Sequence, residues 1–160
     1  MIAETPEERM HAAVGRIPSA VAILTATHQG RSTGMLASWV QQASFEPLRV
    51  TVCVKKGRPI EGLIDGSGKF LLNILGEDSK DMFKHFGRGF GLDDDAFEAL
   101  AVRQRETGVQ IESAIAHVGC EVVAKWDAGD HQLYLGEVIA GDAEADGRPH
   151  VHLRKSGLSY

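Results

Sequence analysis

The chain is poor in the residue types that mark several common classes of protein. Only two of its 160 residues are cysteines, and Cys53 and Cys120 each lie in an apolar alternating run, which favours buried free thiols over a disulfide or a metal pair. The net charge is -5 and no dense run of lysine and arginine occurs, so nucleic acid is not expected as the main partner. No window is long and apolar enough to span a membrane. The segment Met1–Pro6 lacks the basic head and apolar core of a signal peptide, so we expect a cytoplasmic protein.

Motifs that bind nucleotides or metal ions are also missing. Gly87–Gly91 is rich in glycine, but it follows a predicted helix rather than a strand and lacks the third glycine at the spacing of a dinucleotide-binding fingerprint. No phosphate-binding P-loop occurs. His150 and His152 share one face of a predicted strand, but two imidazoles are too few for a tetrahedral zinc site. We therefore predict no metal site.

Short strands make up most of the chain. Alternating or β-branched runs predict strands at Ser19–Ala26, Ser32–Val40, Arg49–Lys55, Phe70–Leu75, Ala116–Trp126, His131–Ala140 and His150–Arg154. Helices are predicted from Thr5 to about Arg16, from Pro59 through Leu63, from Asp78 or Ser79 to Phe86 and, briefly, from Asp94–Asp95 to Leu100; residues 103–113 look irregular. A single domain, residues 1–160, with at least six short strands favours a closed antiparallel barrel, because closure removes exposed sheet edges.

One predicted strand ends in a corner of small and hydroxyl-bearing residues. The corner is Gly34–Val40, and Ser44–Pro47 follows it with a turn that proline ends. Small residues let a flat ligand approach the backbone closely, and the hydroxyls of Ser38 and Ser44 can hold a phosphate without a full positive charge. Without further support, Met35–Ala37 would be interpreted as a core strand.

The corner is one of several segments in which the chain resembles the flavin reductase family with the FMN-binding split-barrel fold. The similarity runs from about Arg16 to Tyr160, and the matching segments are Met35–Val40, Ser44–Pro47, Phe70–Leu75, Lys84–Phe86, Gly129–His131 and Arg154–Gly157. Their order and spacing together are specific, and the chain is most similar to the C-terminal flavin reductase modules of diflavin flavoproteins. The resemblance implies a mainly β, antiparallel Greek-key split barrel with a few short flanking helices, which forms a homodimer and binds FMN near the subunit interface; FAD is a second possibility.

The resemblance also implies which residues bind the flavin. Its ring edge would be lined by the backbone of Met35, Leu36, Ala37, Ser38 and Trp39. Ser38 and Ser44 would bind ribityl or phosphate oxygens. A positive charge to balance the phosphate would come from Lys55, Lys56 or Arg58. The planar guanidinium of arginine suits phosphate better than the ammonium of lysine. The alternative is that these residues form a solvated strand end.

Four further positions complete the expected site. Lys84 and Phe86 would approach the flavin from the loop side. Asn73 would either contact the ligand or satisfy buried backbone groups within its strand. His131 lies where the family often places a residue near the cofactor or the nicotinamide, and it is the candidate catalytic residue.

The function implied by the resemblance is hydride transfer from NADH or NADPH to the flavin N5 atom, with electrons passing on to free flavin or a partner protein. The cofactors make and break the bonds, so the absence of a catalytic triad does not argue against an enzyme. Two alternatives remain open: a non-catalytic FMN electron carrier, and a split-barrel protein that binds another ligand such as haem.

Overall fold

The computed structural model describes residues 4–160 of the chain. Residues 1–3, the first half of the segment in which no signal peptide is expected, lie outside the described residues. The helices are α1 (Pro6–Val14), α2 (Ile60–Ser67) and α3 (Lys80–Phe86). The strands are β1 (Ser19–Ala20), β2 (Ala22–His28), β3 (Arg31–Ala37), β4 (Val40–Ser44), β5 (Arg49–Lys55), β6 (Lys69–Ile74), β7 (Val102–Arg105), β8 (Gly108–Ile111), β9 (Ala116–Asp127), β10 (His131–Ala143) and β11 (Val151–His152). Within residues 4–160, no helix has both the length and the apolar character that crossing a bilayer requires.

The main sheet is antiparallel and has seven strands in the order β3-β2-β6-β9-β10-β5-β4. Strands β3 and β4 are its two edges, yet only Ser38 and Trp39 separate them in the chain. An extended chain advances only about 3.3–3.6 Å per residue, so the two edges must lie close together and the sheet must roll up. The prediction of a mainly β, antiparallel split barrel is confirmed, and the Ser38–Trp39 corner bridges its split.

The barrel interior is filled by the inward faces of the alternating strands. Val52 and Val54 on β5 are fully buried, as the alternation of that strand predicts. Phe70 and Leu72 on β6 meet them from another part of the sheet within the same core. Helix α2 packs Ile60, Leu63 and Ile64 against this core and ends at Gly68, whose backbone is left-handed with φ of 69°.

A second core lies between the barrel and helix α3. Its members come from β2, α3 and the segments around them: Val21, Ile23, Leu75, Met82, Phe86, Ala96 and Ile111. The β7–β8 hairpin is fixed beside this core by buried Asn73, whose Oδ1 accepts the Ile111 N–H at 2.7 Å. This second core matters for function because it holds α3 and its aromatic side chains next to β3.

The structure corrects five predicted elements. The strand predicted at Ser32–Val40 stops at Ala37, since the chain crosses there from one sheet edge to the other. The strand predicted at Ser19–Ala26 is interrupted at Val21, because Ser19 and Ala20 pair with β11 while β2 pairs with β3 and β6. The strand predicted at His150–Arg154 is reduced to β11, which has only the two residues of β1 to pair with.

The other two corrections concern loops. Residues 103–113 are not irregular, because tertiary contacts to the barrel hold them as the β7–β8 hairpin. The brief helix predicted from Asp94–Asp95 to Leu100 is wrong. The Asp95 carboxylate accepts the Phe97 N–H at 3.0 Å, and Ala99 has a left-handed φ of 61°, so this segment forms turns instead.

Candidate functional site

A cleft of about 330 Å³ opens beside the Ser38–Trp39 corner. Its strand side is residues 33–38 of β3 and the corner. Its aromatic side is formed by α3 and the loop after it: Phe83, Phe86, Gly87, Gly89 and Phe90. Arg58, Pro59, Ile60, Val21, His152 and Tyr160 complete the lining. The volume lies within the range of about 300–1,000 Å³ that is usual for small-molecule sites.

The strand side and the aromatic side lie very close together at Gly34. A Cβ atom at this position would lie 3.0 Å from the Phe86 ring, closer than ordinary contact. Phe86 itself is buried and packs against Phe90 and Phe97, with ring centroids 5.8 and 6.2 Å away. A larger residue at position 34 would therefore collide with Phe86, so Gly34 lets α3 pack closely against β3 beside the cleft.

Three polar side-chain atoms of β3 and the corner are buried without a hydrogen-bond partner among the described residues. They are Thr33 Oγ1, Ser38 Oγ and Trp39 Nε1. Thr33 and Ser38 both line the cleft. A buried hydroxyl that makes no hydrogen bond carries a free-energy penalty, so such groups are rare unless a ligand, water or partner satisfies them. The strand side of the cleft is thus equipped to bind the polar rim of a ligand.

The three predicted cations are placed differently. Arg58 lines the cleft at the start of α2. Lys56 is exposed and its Nζ lies 2.6 Å from Asp127 Oδ2, an ion pair at the β9–β10 turn. Lys55 is exposed at the end of β5, where its backbone pairs with that of His131. Arg58 is therefore the cation of this set that can meet an anionic ligand in the cleft.

The candidate catalytic residue, His131, is buried just behind the cleft. Its Nδ1 lies 2.6 Å from Asp130 Oδ1, and its Nε2 is hydrogen-bonded to the Tyr160 hydroxyl. Its ring packs on Trp39, with centroids 4.5 Å apart. The hydrogen bond from His131 lowers the pKa of Asp130, whereas burial raises the pKa of Tyr160. Tyr160 lines the cleft and stands in front of His131.

Four other predicted residues are not part of the cleft lining: Trp39, Ser44, Asn73 and Lys84. The Trp39 ring packs against His131 and Tyr160. The Ser44 hydroxyl donates to the Pro47 carbonyl in the β4–β5 turn, and Lys84 is exposed on α3. Asn73 is fully buried. Its Nδ2 donates to the carbonyls of Ile23 and Val109, both at 3.1 Å, so its amide satisfies backbone groups. The roles of Ser44 and Lys84 toward a flavin stay predictions.

The cleft also contains residues that the sequence reasoning did not select, namely Thr33, Phe83, Phe90 and Tyr160. Thr33 lies two residues before Met35 on one strand, so the alternation of β3 could have indicated it. Phe83 and Phe90 flank Phe86 in a glycine-rich segment. Nothing local marks Tyr160, because its place depends on the path of residues 153–160 over the corner.

No group of three or more His, Cys, Asp or Glu side chains in residues 4–160 is arranged to hold a metal ion. His152 lines the cleft, while His150 packs on Phe83 with ring centroids 4.8 Å apart. Cys53 and Cys120 are both free thiols.

Sequence comparison finds that residues 14–157 match the family model described as "Flavin reductase like domain". "Putative diflavin flavoprotein A 6" of Nostoc sp. is 39% identical over 158 residues, which is 97% of this chain and 28% of the relative. "Diflavin flavoprotein A 1" of Synechocystis sp. is 38% identical over 151 residues, 92% of this chain and 26% of the relative. The chain thus spans little more than a quarter of the length of these curated relatives.

Solved structures share the fold over almost the whole chain. The NADH:FAD oxidoreductase SgcE6 of Streptomyces globisporus has a TM-score of 0.85 at 23% identity, covering 97% of this chain and 93% of its own. SgcE6 has also been solved in complex with NAD and FAD fragments. The flavin reductase PheA2 has a TM-score of 0.77 at 26% identity and covers 94% of both chains.

Proposed function

Because the chain belongs to the flavin reductase like domain family, we propose that it is an NAD(P)H:flavin oxidoreductase that binds FMN in the cleft at the Ser38–Trp39 corner. The observation that carries this proposal is the pair of buried, unpartnered hydroxyls on the strand side, Thr33 Oγ1 and Ser38 Oγ. They lie on one side of a narrow cleft whose other side is aromatic. A flat heterocycle with a polar rim and a phosphate tail matches both features.

The residues of the cleft fit such a ligand in three ways. The backbone of Met35–Ser38 offers N–H and C=O groups to the polar rim. The hydroxyls of Thr33 and Ser38 gain the partners that the protein itself does not provide. Arg58 supplies positive charge for the phosphate, which its planar fork can bind through two hydrogen bonds.

The protein's contribution to catalysis is positioning and exclusion of water. Bound flavin supplies the atom that accepts a hydride from a nicotinamide, so no side chain has to act as a nucleophile. The phenylalanines of the aromatic side restrict the ligand to one orientation and keep water off its face. Holding two reactants in a productive geometry can contribute about 7–11 kcal/mol to lowering a barrier.

The relatives bear on the electron donor and acceptor. A neighbour is named an NADH:FAD oxidoreductase, which supports a pyridine nucleotide as donor and keeps FAD beside FMN as the flavin. We propose that the chain performs the flavin-reducing step and passes electrons to free flavin or to an acceptor protein.

The protein also has an exposed apolar surface suited to a second copy. Phe45 and Leu48 in the β4–β5 turn are 88% and 47% exposed, and Ile139 on β10 is 44% exposed. Ile139 lies next to this turn, because the Leu48 carbonyl accepts the N–H of the adjacent Val138. We propose that this surface is the homodimer contact. Light scattering should give twice the chain mass, and Leu48→Asp should shift it toward the monomer.

Anaerobic titration tests the proposed activity. The protein, loaded with FMN and mixed with NADH or NADPH without oxygen, should lose its yellow colour rapidly with at least one of the two nucleotides. Flavin that binds but stays oxidised with both would instead indicate the non-catalytic carrier. A haem spectrum in the purified protein, without flavin uptake, would contradict flavin binding altogether.

Single replacements of two serines locate the ligand. Ser38→Ala should weaken FMN binding about tenfold or more, since hydrogen bonds to a charged group are worth about 1.5–3 kcal/mol. Ser44→Ala is the matched variant, because its hydroxyl is already used by Pro47. The measurement is FMN affinity from fluorescence quenching. Equal losses in both variants would support Ser44 as a second phosphate ligand, and no loss in Ser38→Ala would contradict the site.

A further inference from the structure

The side chain of His131 does not reach the cleft. It is only 7% exposed, and both of its ring nitrogens have partners within the protein, Asp130 on one side and Tyr160 on the other. Its ring face is covered by Trp39 at 4.5 Å. A ligand in the cleft therefore meets the Tyr160 side chain and not the imidazole.

Tyr160 lies at the mouth of the cleft. It is 53% exposed, whereas Gly34 and Ala37 on the strand side are buried. The ring rests on Trp39, with centroids 5.1 Å apart, and its hydroxyl is tied to His131. Two flat reactants must stack for hydride transfer, so the first fills the depth of the cleft and the second lies nearer the mouth.

The hydrogen bonds also define what the Tyr160 hydroxyl can offer. A neutral imidazole that donates its Nδ1–H to the Asp130 carboxylate accepts at Nε2, so the Tyr160 O–H donates to it. The phenol oxygen then keeps its lone pairs free to accept an N–H from a ligand. The carboxamide group of a nicotinamide provides such an N–H next to the reacting ring carbon.

We propose that Tyr160 contacts the nicotinamide of the electron donor at the mouth of the cleft, and that His131 is a positioning residue that acts only through the Tyr160 hydroxyl. The inference rests on the proposed function. It differs from the sequence-based expectation, in which His131 itself lies near the cofactor or the nicotinamide and is the candidate catalytic residue.

A double-mutant cycle in the donor's KM tests the inference. Tyr160→Phe keeps the ring but loses the hydroxyl, and His131→Asn loses the acceptor of that hydroxyl. Each should raise the KM for the nucleotide about tenfold, because a hydrogen bond of ordinary strength is lost, with FMN affinity unchanged. The double variant should be no worse than either single one, since the two groups act as a unit.

Several results would overturn the inference. If the fold-changes in KM of the two single variants multiplied in the double variant, His131 would contact the donor independently of Tyr160. An unchanged KM in Tyr160→Phe would mean that the hydroxyl has no role, and a lowered KM in Tyr160→Ala would mean that the side chain obstructs the donor. If His131→Asn does not fold, Asp130→Asn replaces it, because Asp130 is mostly exposed and fixes the histidine's tautomer; this variant should also raise KM.

A measurement without flavin checks the hydrogen bond itself. In the flavin-free protein, Tyr160→Phe should shift the ¹⁵N resonances of the His131 ring, whereas Tyr134→Phe, which removes the hydroxyl bonded to Asp65, should not. Unmoved resonances would show that the pair does not form, which would remove the basis of the inference. If the wild-type protein bound FMN but neither nucleotide reduced the flavin, the proposed function would be overturned as well. If the flavin were reduced normally and the variants had the wild-type KM, only the inference would be overturned.

Discussion

The contact between the barrel and the β7–β8 hairpin differs from the strand side of the cleft in how its buried polar groups are satisfied. At the hairpin contact, the Thr25 hydroxyl donates to the Val109 carbonyl at 2.8 Å and accepts the Val109 N–H at 2.9 Å. On the strand side of the cleft, Thr33 of the adjacent strand is almost as buried, at 2% against 0%, but its hydroxyl has no partner among the described residues. The threonine hydroxyl stabilises the fold at position 25 and remains available to bind a ligand at position 33.

The difference separates stability from ligand binding. Asn73 and Thr25 join the β7–β8 hairpin to the barrel and leave no polar atom of their own to bind a ligand. The side-chain hydroxyls of Ser38 and Thr33 make no hydrogen bond among the described residues and are the groups that a ligand would satisfy. Functional sites commonly depart from the pairing rules that the rest of a structure obeys. The comparison leads to four predictions.

The largest effect is expected at the contact between the barrel and the β7–β8 hairpin. Asn73→Leu should lower the free energy of unfolding by about 3 kcal/mol, because a buried group that loses its partner costs about 1–3 kcal/mol and Asn73 bonds to several. Urea denaturation measures it. Flavin affinity of the folded variant should stay near that of the wild type. A loss of flavin affinity at full stability would contradict a structural role for Asn73.

The sharpest test compares the same replacement on two adjacent strands. Thr25→Val should lower the free energy of unfolding by about 2 kcal/mol, since it removes both hydrogen bonds to Val109. Thr33→Val should leave stability unchanged or raise it by up to about 1 kcal/mol, because its hydroxyl is unsatisfied in the flavin-free fold.

Flavin affinity should show the reverse pattern in these two variants. Thr33→Val should bind FMN several-fold more weakly, and folded Thr25→Val should bind it normally. Both quantities come from the same samples, by urea denaturation and by fluorescence quenching. If the two variants behaved alike in both measurements, the proposed difference between the hairpin contact and the strand side of the cleft would be contradicted.

The smallest effect concerns the two thiols. Burial raises the pKa of the Cys120 thiol to about 12, and it also raises the pKa of Cys53, which is only half-buried on β5 beside the corner. Only the thiolate reacts with iodoacetamide, so at pH 8 Cys53 should be alkylated slowly and Cys120 only when the barrel unfolds. Mass spectrometry over a urea series measures both rates. Early alkylation of Cys120 would show that the interior opens as readily as the corner.

The raised pKa of Cys120 also has a consequence for stability at high pH. The folded state disfavours the thiolate, so its contribution to stability is complete below the thiol's unfolded-state pKa, near 8.5, and is lost as pH rises toward about 12. The free energy of unfolding should therefore depend less on pH in Cys120→Ala than in the wild type over this range.

Most of the fold could be predicted because it follows from local alternation. The strand predicted at Arg49–Lys55 has the observed bounds of β5, and the segment Ala116–Trp126 differs from β9 by one residue. Elements whose stability comes from distant partners could not be predicted in this way. The β7–β8 hairpin depends on Asn73, about 30 residues earlier in the chain, and the short β1–β11 pair joins opposite ends of it.

What the sequence determined by itself is the strand pattern, the small-residue corner and, through the resemblance, the family. These are properties of neighbouring residues and of their order. The tertiary structure decided which predicted site residues share the cleft: it brings Ser38, Arg58 and Phe86 together and places Ser44, Lys84 and Asn73 outside. It also placed Tyr160 in front of His131. The physical reason is that the rolling of the sheet and the path of distant segments over it, not the local pattern, determine which side chains meet.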